Sequence, residues 1–550
     1  MRSPGRPSTW WTKATIRGDG WSSSPGRTSH ARPRPWRLGS PGDDFGEVQR
    51  SALGWVTRLR SFLSGQSFGH SVLTLAGGTV AGQVLALAVA PILSRLYSPA
   101  DFGVLQVYAS ALGMLTGVGV LCYERALPLP ETEEEGADVL ALCFAILLIT
   151  SALLSYLVAV HGPAFLELVN AEEMAPYRWL LPLGLFGALM YQTLNFWAVR
   201  RKAFGRIAAT KLTQAVGMVS VQIGCGILKI APLGLLAADV VGRSAGVVSL
   251  GRIVFAEDLA RLAAVRLRGI GRAALRYWKF PCFTSWTMLA STSSMHVPPV
   301  LLSAWFGSAV AGWFGLGARL MQAPIDLVGR AVAQVFFAEC RTAQQEGSLG
   351  PATWRVFERL ARVAAPIAVF AAVSSPPLMV LVLGEEWATT GRYMQWLGPW
   401  ILVTFLYSPM GPIALVLERQ EVALALQAGV ALGRIGGAYV GYRSGSAEAA
   451  VIGCALGGAV MALPYVAWQL AITGNSPLAG LAHLARETAL AAALCLPIIG
   501  ARVWLPGSWL VRVAIALSAG LLGWRAYGPL RRVFKARGRA GDPEDDSTRG

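Results

Sequence analysis

Charged residues are scarce in this chain of 550 residues. Asp, Glu, Lys and Arg together make up 14% of it, hydrophobic residues make up 54%, and the mean hydropathy is +0.49. Soluble domains usually carry roughly 25% charged residues. The composition therefore predicts an all-α integral membrane protein, because helices satisfy their own backbone hydrogen bonds in lipid.

The sequence also lacks the common motifs of enzyme and cofactor chemistry. It has no Walker A motif, no G-x-G-x-x-G dinucleotide fingerprint and no paired His/Cys ligand set. The seven cysteines lie mostly in or beside apolar runs and show no CxxC spacing. We therefore expect no catalytic residue, no metal and no cofactor, and an energy source other than ATP bound to this chain.

Long apolar runs dominate the rest of the chain. Crossing a bilayer takes a helix of about 20 apolar residues, and by that measure the sequence predicts about fourteen transmembrane helices. These predicted spans are 72–93, 102–123, 138–160, 177–199, 206–228, 232–254, 280–303, 309–337, 362–383, 394–417, 420–442, 447–471, 484–504 and 508–527.

The placement of basic residues predicts the orientation and the division into domains. Lys and Arg concentrate at the two ends and in alternate loops, most densely in 255–279, which is the pattern of cytoplasmic loops. The net charge of +17 therefore indicates membrane orientation and not nucleic-acid binding. We expect two six-helix lobes around a central cavity, with both termini cytoplasmic. The predicted domains are an N-terminal lobe at 56–254, a basic connector at 255–279, a C-terminal lobe at 280–471, two accessory helices within 484–527 and a tail at 528–550.

Residues 1–55 differ in composition from everything that follows. They are rich in Arg, Pro, Ser and Trp, and such a segment cannot bury a core, so we expect it to be disordered. One interpretation is a start codon assigned upstream of the true one, although the next methionine, Met114, lies inside a predicted span. The alternative is a basic tail that binds anionic lipid.

Predicted span eight carries the densest set of polar residues within an apolar helix. At 100° per residue, its five polar side chains fall within roughly 60° of one line on a continuous helix. A charge at the bilayer centre costs roughly 2.5–3.5 kcal/mol, so these groups are expected to line a hydrated cavity. The alternative is a structural pair between Asp326 and Arg330, one turn apart. The five residues are Arg319, Gln322, Asp326, Arg330 and Gln334.

Other spans offer fewer candidates for the same cavity. Lys211 and Gln214 lie in span five, and Gln192 and Asn195 of span four could hydrogen-bond sugar hydroxyls. Span two places Gln106, Ser110, Gly113, Gly117 and Glu124 on one face, which also suits close helix packing. The candidates for ion coupling are Asp326, Asp239 and Glu124, since desolvation can raise the pKa of an intramembrane carboxylate.

Several polar residues favour a structural interpretation instead. Asp239 and Arg243 lie one turn apart in span six and are interpreted as a buried ion pair. His296 and Arg434 are isolated in their spans and are predicted to be structural or interfacial.

One stretch of sequence points to a family. The run from Pro91 to Gly103 (PILSRLYSPADFG) precedes span two, and YERALPLP at 123–130 with the acidic run 131–138 follows it. This succession resembles the opening of the Wzx-type flippases of O-antigen and exopolysaccharide, closely over about 72–160. The wider superfamily joins these to lipid II flippases and to multidrug exporters of the MATE type.

The resemblance implies a flippase in the bacterial inner membrane. Such a protein moves an undecaprenyl-diphosphate-linked sugar unit between leaflets by alternating access. The implied partners are the lipid-linked oligosaccharide, membrane lipid and the polysaccharide polymerase with its chain-length machinery, with no nucleic acid. Arg319 and Arg330 are the predicted ligands of the diphosphate, because a guanidinium donates to two oxygens at once.

Two alternatives remain open from the sequence. A multidrug or cation antiporter of the MATE type is disfavoured by the arginines of span eight, which suit anions. A membrane glycan polymerase or ligase is disfavoured by the outer loops, of which the longest, at about 161–176, is short.

Overall fold

A computed structural model describes residues 68–168, 172–254, 258–504 and 513–523. Within these ranges all regular secondary structure is helical, which agrees with the predicted fold class. The predicted N-terminal extension at 1–55 and the tail at 528–550 lie outside the described residues.

The first half of the described chain contains nine α-helices and two short 3-10 helices. Short 3-10 helices at Tyr123–Ala126 and Glu172–Tyr177 flank α3. The α-helices are α1 (Phe68–Leu96), α2 (Pro99–Val118), α3 (Glu133–Leu168), α4 (Leu180–Arg200), α5 (Phe204–Ile227), α6 (Leu233–Ser244), α7 (Val247–Ile253), α8 (Leu259–Ala263) and α9 (Leu267–Arg276).

The second half of the described chain contains eleven α-helices. A π-helical turn at Phe280–Thr284 opens it, and a 3-10 turn at Glu385–Trp387 joins two long helices. The α-helices are α10 (Ser285–Phe306), α11 (Ser308–Pro324), α12 (Arg330–Gln345), α13 (Leu349–Leu383), α14 (Ala388–Tyr407), α15 (Pro412–Val416), α16 (Gln420–Tyr442), α17 (Ala447–Ile472), α18 (Pro477–Leu494), α19 (Leu496–Trp504) and α20 (Val513–Gly523).

Two predicted spans are interrupted. Span six is divided into α6 and α7, and span eight is divided by a π-helical turn at Ile325–Gly329 between α11 and α12. A π turn takes one more residue than an α-helical turn, so later positions rotate by about 100° relative to a continuous helix. The prediction of a single straight stripe through span eight is therefore wrong beyond its first two members, Arg319 and Gln322.

The described helices differ in whether they are long and apolar enough to cross a membrane. Among the described residues, six segments are both long and apolar enough to cross a bilayer by length and composition. These six are Glu133–Leu168, Leu233–Ile253, Leu349–Leu383, Glu385–Val416, Gln420–Tyr442 and Ala447–Ile472. The count of fourteen stays a prediction.

The start of α2 is fixed by its own sequence. Ser98 caps the helix: its backbone N–H donates to Asp101 Oδ2 at 2.9 Å, and its hydroxyl accepts from the Asp101 N–H at 3.3 Å. Pro99 occupies the first turn, where its missing N–H costs nothing. This capping box fixes the residue at which α2 begins after the turn that follows α1.

Helices α16 and α17 pack with their backbones in close approach. Gly433, Gly437 and Gly441 recur every four residues on α16. They meet Gly457, Gly453 and Ala449 of α17, respectively. A Cβ built on Gly437 would stand 2.0 Å from the carbonyl oxygen of Gly453, so only glycine fits. Small residues at this spacing let two helix backbones touch inside a membrane.

Candidate functional site

The Arg319 side chain carries a charge that is exposed although helices surround it. Helix α11 packs against α2, α10 and α14, and protein surrounds the guanidinium closely, yet the side chain of Arg319 is exposed. A side chain that is both enclosed by helices and exposed must face an internal open space. The charges of Asp239 and Arg243 on α6 act on it electrostatically, so this space lies between the two halves of the molecule.

Asp239 and Arg243 line the opposite wall of this cavity. Arg243 Nε donates to Asp239 Oδ2 at 2.6 Å, and the two side chains are 31% and 16% exposed. The predicted ion pair is present, and both of its side chains are partly exposed. With Arg319 opposite, the cavity holds two guanidinium groups and one carboxylate, which leaves an excess of one positive charge among these three.

Arg243 is the functional candidate that sequence reasoning missed. Its charge also acts on Tyr108 of α2 and on His296 of α10, so it lies at the centre of the polar residues from both halves. The i,i+4 spacing from Asp239 was visible in the sequence, but the approach of Arg319 from a distant helix was not.

Helix α5 connects to this wall through its backbone and an aromatic ring. Gln214 Nε2 donates to the carbonyl oxygen of Arg243 at 3.2 Å, which ties span five to span six. Lys211 is half-buried, with its ammonium 4.8 Å from the centre of the Tyr191 ring. The structure thus brings Gln214 to the cavity wall, whereas the described contact of Lys211 is with an aromatic ring.

Gln192 and Glu124 form a separate polar pair. Gln192 Nε2 donates to Glu124 Oε1 at 2.8 Å, and Glu124 is only 1% exposed. Burial raises the pKa of Glu124, which lies in the short helix between α2 and α3, outside the spanning helices. The Asn195 side-chain oxygen is buried and makes no hydrogen bond within the described part of the chain. Gln192 is therefore engaged with a carboxylate, and its proposed contact with sugar is not needed to explain its position.

The remaining residues of span eight divide at the π turn. Gln322 precedes the turn and is half-buried, with its side-chain oxygen unpaired among the described residues. Asp326 is half-buried within the turn. Arg330 and Gln334 follow it in α12, and their side chains lie outside the described part of the structure.

Arg434 on α16 occupies a closed environment. Its side chain is 1% exposed, its guanidinium lies 3.9 Å from the centre of the Trp400 ring, and it donates to the carbonyl oxygen of Ser294. Such stacking of a desolvated cation on an aromatic ring is stabilising. This arrangement agrees with the structural role predicted for Arg434.

One end of the cavity is closed by contacts between the two halves. A Cβ on Gly103 would stand 1.8 Å from the Ser308 carbonyl oxygen, and one on Gly312 would stand 1.9 Å from that of Pro99. The similar spacing of Gly103 and Gly312 in the sequence thus corresponds to a reciprocal contact between α2 and α11. We call this contact, together with the hydrogen bonds made by Ser94 and Trp387, the sealed seam.

Hydrogen bonds reinforce the sealed seam beside the run PILSRLYSPADFG. Ser94 Oγ donates to the Leu383 carbonyl oxygen at 3.1 Å, and Trp387 Nε1 donates to that of Ser94 at 3.1 Å. The Trp387 ring also meets Phe102 edge-to-face, with 5.1 Å between centroids. The stretch that carried the family resemblance is therefore part of the contact between halves.

Comparison with known proteins assigns the chain to a family. Residues 92–391, more than half of the chain, match the family described as "Polysaccharide biosynthesis protein". The chain belongs to this family. The match includes the sealed seam, Asp239, Arg243 and Arg319, and it confirms the resemblance seen in the sequence.

One curated relative of this chain is the "Succinoglycan biosynthesis transport protein ExoT" of Rhizobium meliloti (strain 1021). It is 23% identical over 315 residues, which is 55% of this chain. The alignment spans 60% of the length of that relative, so what the whole relative does is not transferred by the match alone.

Solved structures similar to this family member are membrane transporters. The lipid II flippase MurJ in an inward closed conformation has a TM-score of 0.66 at 10% identity, covering 84% of this chain and 100% of that one. A multidrug resistance MATE family transporter of the MOP superfamily, in an inward-facing conformation, has a TM-score of 0.53 at 17% identity, covering 75% and 96%. At such low identity the likeness shows the fold, and it confirms the predicted multi-pass helical membrane fold.

Proposed function

We propose that this protein is a flippase that moves a lipid-linked oligosaccharide across the bacterial inner membrane by alternating access, for polysaccharide biosynthesis. The observation that carries the proposal is the exposed Arg319 guanidinium, which faces Asp239 and Arg243 across an internal cavity. The family and the transporter fold support it. We assign no catalytic residue, and we place both termini in the cytoplasm by the distribution of basic loops.

The substrate suggested by this cavity is an anion with several oxygens. A diphosphate carries two or more negative charges, and guanidinium groups bind its oxygens in a bidentate way. Arg319 lies on one half of the molecule and Arg243 on the other, so a diphosphate between them would contact both. The polar sugar would share the hydrated cavity while the polyprenyl chain stays in lipid. A further ligand in this proposal is Arg330.

In this proposal, the phosphate oxygens of the substrate replace the Asp239 carboxylate as the partner of Arg243. It occupies one side of the Arg243 guanidinium at 2.6 Å, so it competes with phosphate for the same donors. Displacement of Asp239 by the diphosphate would release Arg243 to the substrate. Because a ligand shifts a conformational equilibrium only through differential contacts, this exchange can couple binding to the movement of the two halves.

The MATE-type exporter is the second candidate because its fold is shared. Export of cations requires a cavity with excess negative charge, and Arg319 with Arg243 outnumber Asp239 here. We therefore rank the anionic lipid-linked glycan first. A polysaccharide polymerase and its chain-length proteins are the partners we propose at the far side of the membrane.

The proposal is tested by glycan export per unit of membrane protein in cells that lack the native gene. We expect Arg319→Gln to reduce export at least tenfold at unchanged abundance, and Arg319→Lys to restore part of it, since charge survives without the bidentate fork. Arg443→Gln, which removes an exposed arginine in the α16–α17 turn, is the matched control and should export normally. Normal export by Arg319→Gln at equal abundance would exclude this cavity as the path of an anionic head group.

A further inference from the structure

The connector helix α9 presents three different faces. At about 100° per residue, Gly269 and Ala273 define one side, Leu267, Gly271 and Leu275 a second arc of about 80°, and its three arginines a third arc of about 80°. The arginines are Arg268, Arg272 and Arg276. An amphipathic helix usually buries its single apolar side in the protein. Helix α9 has a second apolar side, formed by Leu267, Gly271 and Leu275, in addition to the side formed by Gly269 and Ala273.

The first face attaches α9 to the ends of the spanning helices. Gly269 and Ala273 are buried, and Gly269 lies against Asp138 near the start of α3. Arg276 pairs with Glu135 at 2.6 Å, and Tyr123 Oη donates to the Ala274 carbonyl oxygen at 3.1 Å. Helix α9 is thus held at the level where α2 ends and α3 begins, opposite the sealed seam.

The second face is apolar and exposed. Leu267 is 87% exposed and Leu275 is 76% exposed. Trp278, Phe283 and Trp286, which follow α9 and lead into α10, are exposed as well. Aromatic side chains near the end of a spanning helix are typical of the membrane–water boundary.

The third face is basic and adjoins the apolar one. Residues 259–279 contain no Asp or Glu. Arg268 and Lys279 are exposed and make no ion pair with any residue that the structure describes. The charge of Arg272 reaches Asp138, so the face is only partly neutralised by the protein.

We propose that α9 lies in the plane of the membrane surface and binds anionic phospholipid headgroups through Arg268, Arg272 and Lys279. An exposed apolar face beside a basic face is the arrangement of helices that lie on anionic membranes. The headgroups supply the acidic partners that the connector lacks, and the acyl chains cover Leu267 and Leu275. An acidic soluble protein would leave those two leucines and the neighbouring tryptophans in water. In the proposed orientation, the leaflet is the cytoplasmic one.

The bound lipid would act on the N-terminal lobe through the other end of the connector. Asp258 is buried and accepts hydrogen bonds from Trp197 Nε1 at 3.0 Å and from Arg261 at 2.7 Å, and it also pairs with Arg201. The connector is therefore fixed to α4 at one end and to α3 at the other. Headgroups that hold α9 in the membrane plane would also hold this edge of the lobe.

The depth of α9 is tested with full-length protein in lipid nanodiscs. A bimane probe at Leu275→Cys, on a background free of other cysteines, should be quenched by phospholipid brominated on its acyl chains. A probe at Arg268→Cys should be quenched less, because that face points to the headgroups. A Leu275 probe that is quenched only by a soluble quencher would overturn the proposal, as would protection that appears only when cytosolic protein is added.

The headgroup preference is tested by titrating full-length protein with fluorescent phosphatidylglycerol against fluorescent phosphatidylcholine. Each basic residue near an anionic surface is worth about fivefold in binding at low salt, so Arg268→Gln/Lys279→Gln should lose about tenfold or more of the preference. The matched control Arg95→Gln/Arg443→Gln removes two exposed arginines from turns remote from α9 and should keep it, as should Arg268→Lys. Equal loss in both double variants, or no preference in the parent, would refute headgroup binding at α9. Neither experiment depends on transport, so the flippase proposal can fail while this one stands.

Discussion

Two arginines in the second half of the chain, Arg319 and Arg434, lie in opposite environments. Arg319 is exposed in the cavity and meets charges from the other half of the molecule, while Arg434 is sealed among α10, α14 and α17. Both interrupt apolar helices, and neither has a neighbouring carboxylate on its own helix turn. The presence of an arginine in a spanning helix therefore does not identify a ligand site. The exposure of its side chain and the groups it contacts distinguish a ligand site from a structural contact.

The largest expected effect follows from removing the enclosed arginine. Arg434→Gln loses a desolvated cation–π contact of about 2 kcal/mol and a charged hydrogen bond of about 1.5–3 kcal/mol. We expect a strong fall in membrane abundance and in the melting temperature in detergent, while Arg319→Gln keeps both. A stable Arg434→Gln protein that has lost only export would place Arg434 in the substrate path and break the comparison.

Lysine substitutions sharpen the same comparison. The planar guanidinium of Arg434 stacks on the Trp400 ring and also donates to the Ser294 carbonyl oxygen. The ammonium of a lysine cannot make both contacts at once. We expect Arg434→Lys to lower the melting temperature markedly and Arg319→Lys to leave it unchanged. Thermal unfolding of purified protein measures the difference, and equal stability of the two variants would contradict it.

A smaller effect is expected at the partly exposed Asp239–Arg243 pair that faces Arg319. Solvent screening limits the worth of the Asp239–Arg243 pair to about 1 kcal/mol. Asp239→Asn frees Arg243, so binding of undecaprenyl diphosphate to the full-length protein should strengthen roughly fivefold, and Arg243→Gln should weaken it. Tighter binding of undecaprenyl diphosphate by Arg243→Gln would contradict a role of Arg243 as a ligand of the anion. Arg243 would then serve only as the partner of Asp239.

The smallest effect concerns Glu124, which is buried like Arg434 but can lose its charge. Because burial raises its pKa in the folded protein, its contribution to the free energy of unfolding falls as pH rises from the ordinary glutamate pKa to the raised value. Glu124→Gln should remove that part of the pH dependence. At pH values above the raised pKa of Glu124, this variant should have lost less stability than the parent protein. Melting temperatures of both proteins across this range measure it, and identical pH slopes would contradict the assignment.

The membrane fold and the family could be predicted from the sequence because both depend on local patterns. Apolar length predicts helices, and the run from Pro91 to Gly103 indicates the family. The path of span eight could not be predicted in this way, since the π turn at Ile325–Gly329 interrupts a periodicity that looks continuous in one dimension.

The candidate site was predicted only in part for a related reason. Arg319 was identified from its helix, but Arg243 gained its importance from a helix that is distant in sequence. The contact of Gln192 with Glu124 likewise depends on tertiary packing. Roles of Arg330 and Gln334 stay predictions.

The glycine contacts between α16 and α17 also bear on how the chain enters the bilayer. The turn between these helices is short, at 443–446, and Ser446 caps α17 by accepting from the Ala449 N–H. Inserted alone, α16 would expose Arg434 to lipid at a cost of roughly 2.5–3.5 kcal/mol. A Cβ on Gly458 of α17 would stand 2.6 Å from Arg434 Cγ, so α17 already covers the stem of this arginine. The two helices can therefore leave the translocon as one preassembled hairpin, in which the charge is shielded before the rest of the lobe has been synthesised or packed.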